Sequence, residues 1–89
     1  MIPGDEIRKR LELNHWTQAD LACILGRPVQ MVNEIVSGKR RITPQTAVQL
    51  ASAFDTDAMF WLTLENNYRL AQLRFRNEMR AKEPHDAEV

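Results

Sequence analysis

Two amide side chains, Gln30 and Asn33, have the types and the spacing needed to recognise a nucleic-acid base. They lie three residues apart in a segment whose apolar residues Val32, Ile35 and Val36 recur with the period of a helix. Both amides therefore share the helix face that points away from the core. An amide can donate to and accept from the edge of adenine in the major groove of DNA, which is wide enough for a helix. The pair predicts a helix that reads base edges, called the recognition helix below.

Cations flank the recognition helix on both sides. Arg27 precedes it, and Lys39, Arg40 and Arg41 follow it in a short stretch called the basic loop below. Between Arg27 and Arg41, four positive charges and the negative charge of Glu34 give a local charge of +3, whereas the net charge of the whole chain is zero. Phosphates are attracted by such local clusters rather than by net charge. We interpret the basic loop as a contact to the DNA backbone; a solvated run of charge is the alternative.

Two short helices must position these residues, and local signals mark where each begins and ends. Thr17 suits the cap of the first helix, which then begins at Gln18, and Asp20 can complete a capping box. Gly26 supplies the left-handed residue that ends this helix, and Pro28 suits the first position of the recognition helix. Two helices joined by a glycine turn predict a helix-turn-helix, although a helical hairpin used only for packing has the same outline.

Three further helices complete an all-α, five-helix architecture. The first is expected from Pro3 to Leu13, another begins after the Thr43 cap, and a long last helix begins at Ala58 with Asp57 as its cap. Residues 1–82 are expected to form one DNA-binding domain. Residues 83–89, which have mixed charge and no apolar periodicity, are expected to form a disordered tail.

Four side chains beside the motif have predicted positions in the packing. Cys23, a lone thiol without a partner for an internal disulfide, is expected as a small core residue. Val29 and Met31 are expected on the flanks of the recognition helix, and Ile42 is expected to fill the core behind the basic loop.

The last helix carries an apolar stripe that is longer than the core of so small a domain can cover. Its members recur at spacings of three and four and are Trp61, Leu64, Tyr68, Ala71, Phe75 and Met79. We expect the part beyond Leu70 to be covered by a partner chain, with fraying of the helix as the alternative. The predicted dimer or partner surface comprises Tyr68, Leu73, Phe75 and Met79.

The sequence lacks the patterns that membrane insertion or catalysis requires. No apolar run approaches the roughly 20 residues of a membrane span, and no signal-peptide core opens the chain, which predicts a cytoplasmic protein. The two histidines, His15 and His85, lie in a loop and in the tail, and no metal-ligand or phosphate-loop spacing occurs. We therefore expect no enzymatic activity, no cofactor and no metal.

Three segments of the sequence carry a family resemblance. The chain resembles the phage-repressor, or Cro/C1 (XRE), helix-turn-helix superfamily in the segments TQADLACILG, RPVQMVNEIVSGKRRIT and AVQLASAFDTDAMFWLTLENNYRL. Within this superfamily, the chain resembles the HigA antitoxins of bacterial toxin-antitoxin modules in the segments PGDEIRKRLE, SGKRRIT and FWLTLENNYRL. The resemblance covers about residues 3 to 70. It implies a homodimer that binds a palindromic operator, represses its own operon and neutralises a toxin that cleaves messenger RNA on the ribosome.

The resemblance also implies which residues contact DNA. It places phosphate contacts on Thr17 and Gln18, base contacts on Val29, Gln30 and Asn33, and backbone contacts on Lys39 and Arg40. Together with Arg27 and Arg41 from the charge cluster, these are the predicted DNA-binding residues. The chain departs from the family pattern at three positions. Pro28 stands where a polar residue is common, Glu65 stands where Gln is usual, and Arg69 stands where Asp is usual. A free-standing XRE-family regulator and a protein-interaction adaptor without DNA affinity remain alternative interpretations.

Overall fold

The computed structural model describes residues 2–81, and these form an all-helical domain without strands. Its elements in chain order are α1 Pro3–Asn14, α2 Gln18–Leu25, α3 Val29–Val36, α4 Pro44–Phe54 and α5 Ala58–Ala81. The predicted all-α, five-helix architecture is thereby confirmed. α3 is the helix that contains Gln30 and Asn33 and is predicted to read base edges. The predicted tail, residues 83–89, lies outside the described residues.

Short-range hydrogen bonds fix where the helices begin and end. The Thr17 hydroxyl accepts the Asp20 N–H at 3.0 Å, and the Asp20 carboxylate accepts the Thr17 N–H at 2.9 Å, so the predicted capping box forms. The Thr43 hydroxyl caps α4 by accepting the Thr46 N–H at 3.3 Å. Gly26 ends α2 with a φ of 67°, in the left-handed region that glycine adopts without steric penalty. These local signals position the helix-turn-helix.

Three predictions about individual residues are wrong. Pro28 is the N-cap of α3 rather than its first helical residue, because its ψ of 144° is extended and α3 begins at Val29. Met31 is 5% exposed and belongs to the core, since α3 packs against both α1 and α2 and its buried arc is wider than one stripe. Cys23 is exposed rather than buried, because Leu21 and Ala22 already fill the inner face of the short helix α2.

Trp61 of α5 lies at the centre of the core and is fully buried. Its indole Nε1–H donates to the Thr56 hydroxyl at 2.8 Å, which satisfies the polar atom of the buried ring. The rings of Phe54 and Phe60 lie 5.8 Å and 5.1 Å from it, and Trp16 stacks on Phe54 at 5.7 Å. This aromatic cluster joins α4 and α5 to the segment that precedes α2.

The start of α1 lies very close to the end of α3. Gly4 is buried, and a Cβ at this position would lie 1.9 Å from the carbonyl oxygen of Val36. Only a residue without a side chain allows the two backbones to approach so closely. This close approach fixes the carboxyl end of α3, from which the basic loop leaves.

The core covers only the first part of α5. Trp61 and Glu65 are buried, Tyr68 and Arg69 are half-buried, and every residue from Leu70 to Arg80 is exposed. The helix is nevertheless continuous to Ala81, as expected of a stripe that outlasts the core. Coverage of this exposed part by a partner chain stays a prediction.

Candidate nucleic-acid interface

The packing of α3 turns one face of the helix into the core and leaves the other accessible. Val32, Ile35 and Val36 are buried, as predicted, and are clamped between α1 and α2. Gln30 and Asn33 are both exposed on the opposite face. Since the buried face fixes the position of α3, the backbone that carries the two amides is held in place. Val29, in the first turn of α3, is 44% exposed beside them.

The start of α2 offers free backbone donors. Thr17 is exposed and Gln18 is half-buried. The capping box uses the side chain and the N–H of Thr17 and the N–H of Asp20. The N–H groups of Gln18 and Ala19, in the first turn, have no acceptor within the helix. Such amides at the positive end of a helix dipole are suited to bind a phosphate.

The basic loop is fastened to the end of α3 by Glu34. The backbone carbonyl of Glu34 accepts the N–H groups of Lys39 at 2.9 Å and of Arg40 at 3.2 Å. Its carboxylate pairs with the Arg40 guanidinium, with Oε1 lying 2.8 Å from Nη2 and 2.9 Å from Nε. Lys39, Arg40 and Arg41 are all exposed, and within residues 2–81 Arg40 is the only one of the three in an ion pair. Lys39 and Arg41 therefore have the more available charges.

The other end of the basic loop is held by the core. Ile42 is buried, as predicted, and its N–H donates to the carboxylate of Glu65 in α5 at 3.1 Å. Glu65 in turn pairs with Arg69, one helical turn further along α5. Two of the three positions that depart from the family pattern, Glu65 and Arg69, thus contact each other. Thr43 follows immediately as the cap of α4, so the loop has little freedom at either end.

Arg27 lies in a different environment from the basic loop. It is half-buried, and its Nη1 donates to the side-chain oxygen of Gln49 in α4 at 3.1 Å. The guanidinium is therefore oriented by α4 rather than being a freely moving cation. Its predicted contact with DNA stays a prediction.

Two adjoining grooves run along the exposed half of α5. The first, of about 460 Å³, is lined by Leu64, Asn67, Tyr68, Ala71, Gln72 and Phe75. The second, of about 340 Å³, is lined by Gln72, Phe75, Arg76 and Met79. Tyr68, Phe75 and Met79 of the predicted partner surface thus lie together. Leu73 is exposed but lines neither groove, because two residues of helix rotate it by about 200° from Phe75.

Sequence reasoning missed three residues that position the cations: Glu34, Gln49 and Glu65. The bonds Arg27 to Gln49 and Ile42 to Glu65 join residues 22 and 23 apart, and no local pattern predicts them. The one available signal was the spacing of four between Glu65 and Arg69, which allows an ion pair on one helix face. In the part of the chain that the structure describes, no group of His, Cys, Asp or Glu could hold a metal ion. No helix among these residues has both the length and the apolarity to span a bilayer.

Comparison with known proteins identifies the family. A family model described as helix-turn-helix matches residues 7–61, which include α2, α3 and the basic loop. The chain belongs to the helix-turn-helix family. A relative from Haemophilus influenzae, an uncharacterized HTH-type transcriptional regulator, is 42% identical over 55 residues, covering 62% of this chain and 51% of that protein. The chain therefore spans about half the length of this curated relative.

Solved structures of helix-turn-helix proteins resemble nearly the whole chain. The antitoxin HigA of Pseudomonas aeruginosa, solved with the higBA promoter, superposes with a TM-score of 0.85 at 33% identity, covering 94% of this chain and 96% of that one. An addiction module antidote protein of the HigA family from Coxiella burnetii gives a TM-score of 0.76 at 29% identity, covering 93% and 94%. These matches confirm the resemblance to the Cro/C1-type superfamily and to the HigA fold, including α5.

Proposed function

We propose that this protein is a sequence-specific DNA-binding repressor and the antitoxin of a HigBA-type toxin-antitoxin module. In this role it binds a palindromic operator as a homodimer, represses its own operon and neutralises an mRNA-cleaving toxin. The observation that carries the proposal is the exposed face of α3, which bears Gln30 and Asn33 and from whose carboxyl end the basic loop leaves. The similarity to an antitoxin solved with promoter DNA supports it.

Each part of this surface has a role in the proposed complex. Gln30 and Asn33 hydrogen-bond base edges in the major groove, and the exposed methyl groups of Val29 contact a thymine methyl. The phosphate contacts that flank α3 fix the depth of the helix in the groove but carry no sequence information. They are assigned to the α2 start at Thr17 and Gln18 and to the cations Arg27, Lys39, Arg40 and Arg41.

A homodimer follows from the reach of one recognition helix. A single α3 contacts only a few base pairs, which is too few to define a unique site in a genome. Two copies on half-sites about one helical turn apart are therefore needed for specific binding. We assign the dimer or partner contact to the grooves of α5, at Tyr68, Phe75 and Met79. Leu73, the fourth residue of the predicted surface, lies on the opposite side of α5 and is not part of this assignment. Because the operator is chromosomal or plasmid DNA, we place the protein in the cytoplasm. We assign it no enzymatic activity.

A free-standing transcriptional regulator is the second candidate. The Haemophilus influenzae relative, described as a regulator, favours it. Both candidates bind DNA, and they differ in whether a toxin is bound. Copurification of the product of the adjacent reading frame, with loss of its ribonuclease activity in the complex, distinguishes the antitoxin from the regulator. An adaptor without DNA affinity is excluded if the wild-type protein retards its own promoter in a gel.

The assigned roles are tested by titrating promoter DNA with Gln30→Ala and Lys39→Ala at several salt concentrations. We expect Gln30→Ala to lose about 1–3 kcal/mol against the cognate base pair only. Lys39→Ala should weaken binding to every sequence and reduce the slope of log K against log salt by about 0.9 for each phosphate that is no longer neutralised. Asn77→Ala and Arg80→Ala, which remove an exposed amide and an exposed cation from α5, are the matched controls. Equal losses of affinity by both test variants on all sequences contradict the assignment.

A further inference from the structure

Glu65 is a buried acidic residue that the proposed DNA contacts do not use. It is 4% exposed and lies in α5, on the side that faces the rest of the domain. Its Oε1 accepts the N–H of Ile42, and its second oxygen pairs with Arg69. Burial of a carboxylate costs desolvation free energy, which an ion pair and a hydrogen bond offset only in part. The chain thus maintains a costly group at the point where α5 meets the end of the basic loop.

The Ile42 N–H is a sensitive point for the orientation of the basic loop. Ile42 precedes α4 and lies outside any helix, so its amide has no helical acceptor. The peptide unit that contains this N–H is planar and also contains the carbonyl of Arg41. When Glu65 holds the N–H, it fixes the plane of the peptide on which Arg41 is carried. Ile42 is thus held twice, at its backbone N–H by Glu65 and at its side chain by the core in which that side chain is buried.

The carboxylate of Glu65 is itself held in place by α5. Arg69 approaches it from one turn away, and the Arg69 guanidinium also lies 5.0 Å from the centre of the Tyr68 ring. A second nitrogen of Arg69 donates to the side-chain oxygen of Gln72 at 3.4 Å. These contacts orient the Arg69 guanidinium on the surface of α5. Its ion pair with Glu65 in turn orients the Glu65 carboxylate. The basic loop is thus fastened to α3 by Glu34 and to α5 by Glu65.

We propose that Glu65 is a positioning residue for DNA binding, which holds the basic loop in register with the phosphate backbone. This inference rests on the proposed function, because it needs a phosphate backbone to position the loop against. Glu65 touches no DNA in this scheme, since it is buried beneath the loop. The backbone of the basic loop is therefore ordered during folding of the domain, so that ordering it does not weaken the association with DNA.

The test compares two uncharged substitutions, of which only one retains an acceptor for the Ile42 N–H. Glu65→Gln keeps an oxygen that can accept the Ile42 N–H, whereas Glu65→Leu has a similar size and no acceptor. We expect Glu65→Gln to bind promoter DNA within about twofold of the wild type. Glu65→Leu should bind about tenfold more weakly, and its slope of log K against log salt should fall by about 0.9 for each phosphate that the displaced loop no longer neutralises. Amide hydrogen exchange at Ile42 should accelerate in Glu65→Leu alone.

A control separates positioning from a general loss of stability. Phe54→Leu perturbs the aromatic cluster of the core and leaves the residues of the basic loop unchanged, so it should lower Tm without changing the salt slope. All measurements are made at a temperature where each variant is folded by circular dichroism. If Glu65→Leu does not fold, Arg69→Met, which retains the Glu65 carboxylate but removes its ion-pair partner, takes its place. Its expected effects are in the same direction, with about threefold weaker binding.

The outcomes distinguish this inference from the proposed function. If the wild type binds its promoter and Gln30→Ala behaves as expected, an unchanged salt slope and an unchanged Ile42 exchange rate in Glu65→Leu overturn the positioning role alone. If the wild type binds no promoter DNA, both proposals fail. Weaker binding with a reduced slope and faster Ile42 exchange, absent from Phe54→Leu, supports the assignment.

Discussion

Gly4→Ala tests the close approach of two backbones that fixes the end of the recognition helix. The new Cβ would lie 1.9 Å from the carbonyl oxygen of Val36 and 2.6 Å from its carbonyl carbon, whereas real Cβ atoms essentially never approach within 3.0 Å. The atoms it meets belong to the backbone, so no side-chain rotation relieves the overlap. Helices α1 and α3 must separate by about 1 Å, which weakens the packing of the buried residues between them.

The expected sign is opposite to that of the same substitution in an open helix. There, Gly→Ala stabilises by about 1 kcal/mol because alanine loses less conformational entropy. Here we expect a net loss of about 2–3 kcal/mol, at the upper end of the range for overpacking, because the backbone itself must move. For a domain of this size, each kcal/mol corresponds to about 4–8 °C in Tm, so Tm should fall by about 10–20 °C.

Gly26→Ala is the matched control, since the two glycines are required for different reasons. A Cβ on Gly26 meets nothing within 4 Å, but its φ of +67° is left-handed. The expected cost is therefore the conformational penalty of about 1–2 kcal/mol. Thermal and urea unfolding followed by circular dichroism measure both variants. A Gly4→Ala protein as stable as the wild type, or more stable than Gly26→Ala, refutes the account of how α1 and α3 pack.

Two further predictions concern the helix caps and the exposed half of α5. Thr17→Ala removes the hydroxyl acceptor of the capping box and should lower the free energy of unfolding, measured in urea, by about 1 kcal/mol. Thr17→Ser keeps the hydroxyl and should lose much less stability. An equal loss of stability in both variants rejects the cap as the cause. Phe75→Glu places a charge in the grooves of α5 and should convert a dimer into a monomer in sedimentation experiments at micromolar concentration. Leu73→Glu, on the opposite side of the helix, should leave the dimer intact, so dissociation by Leu73→Glu alone would move the dimer contact to that side.

Many positions of the helices and the motif could be predicted because their causes are local. The Thr17 hydroxyl reaches an amide three residues away, and Gly26 adopts a left-handed φ whatever lies around it. The exposure of Gln30 and Asn33 also follows from period alone, because turning the apolar residues of α3 inward turns both amides outward. Sequence thus determined a helix-turn-helix and the face of α3 that is available to DNA.

Other features depend on packing between segments far apart in the chain, and only the tertiary structure decided them. Met31 is buried because two helices, α1 and α2, flank α3. The support of the cations by Gln49 and Glu65 joins residues more than 20 apart. Periodicity reports which side of a helix is apolar, but it does not report how many neighbours pack against that side. The width of the buried arc and the partners of buried polar groups are therefore set by the packing of the whole domain.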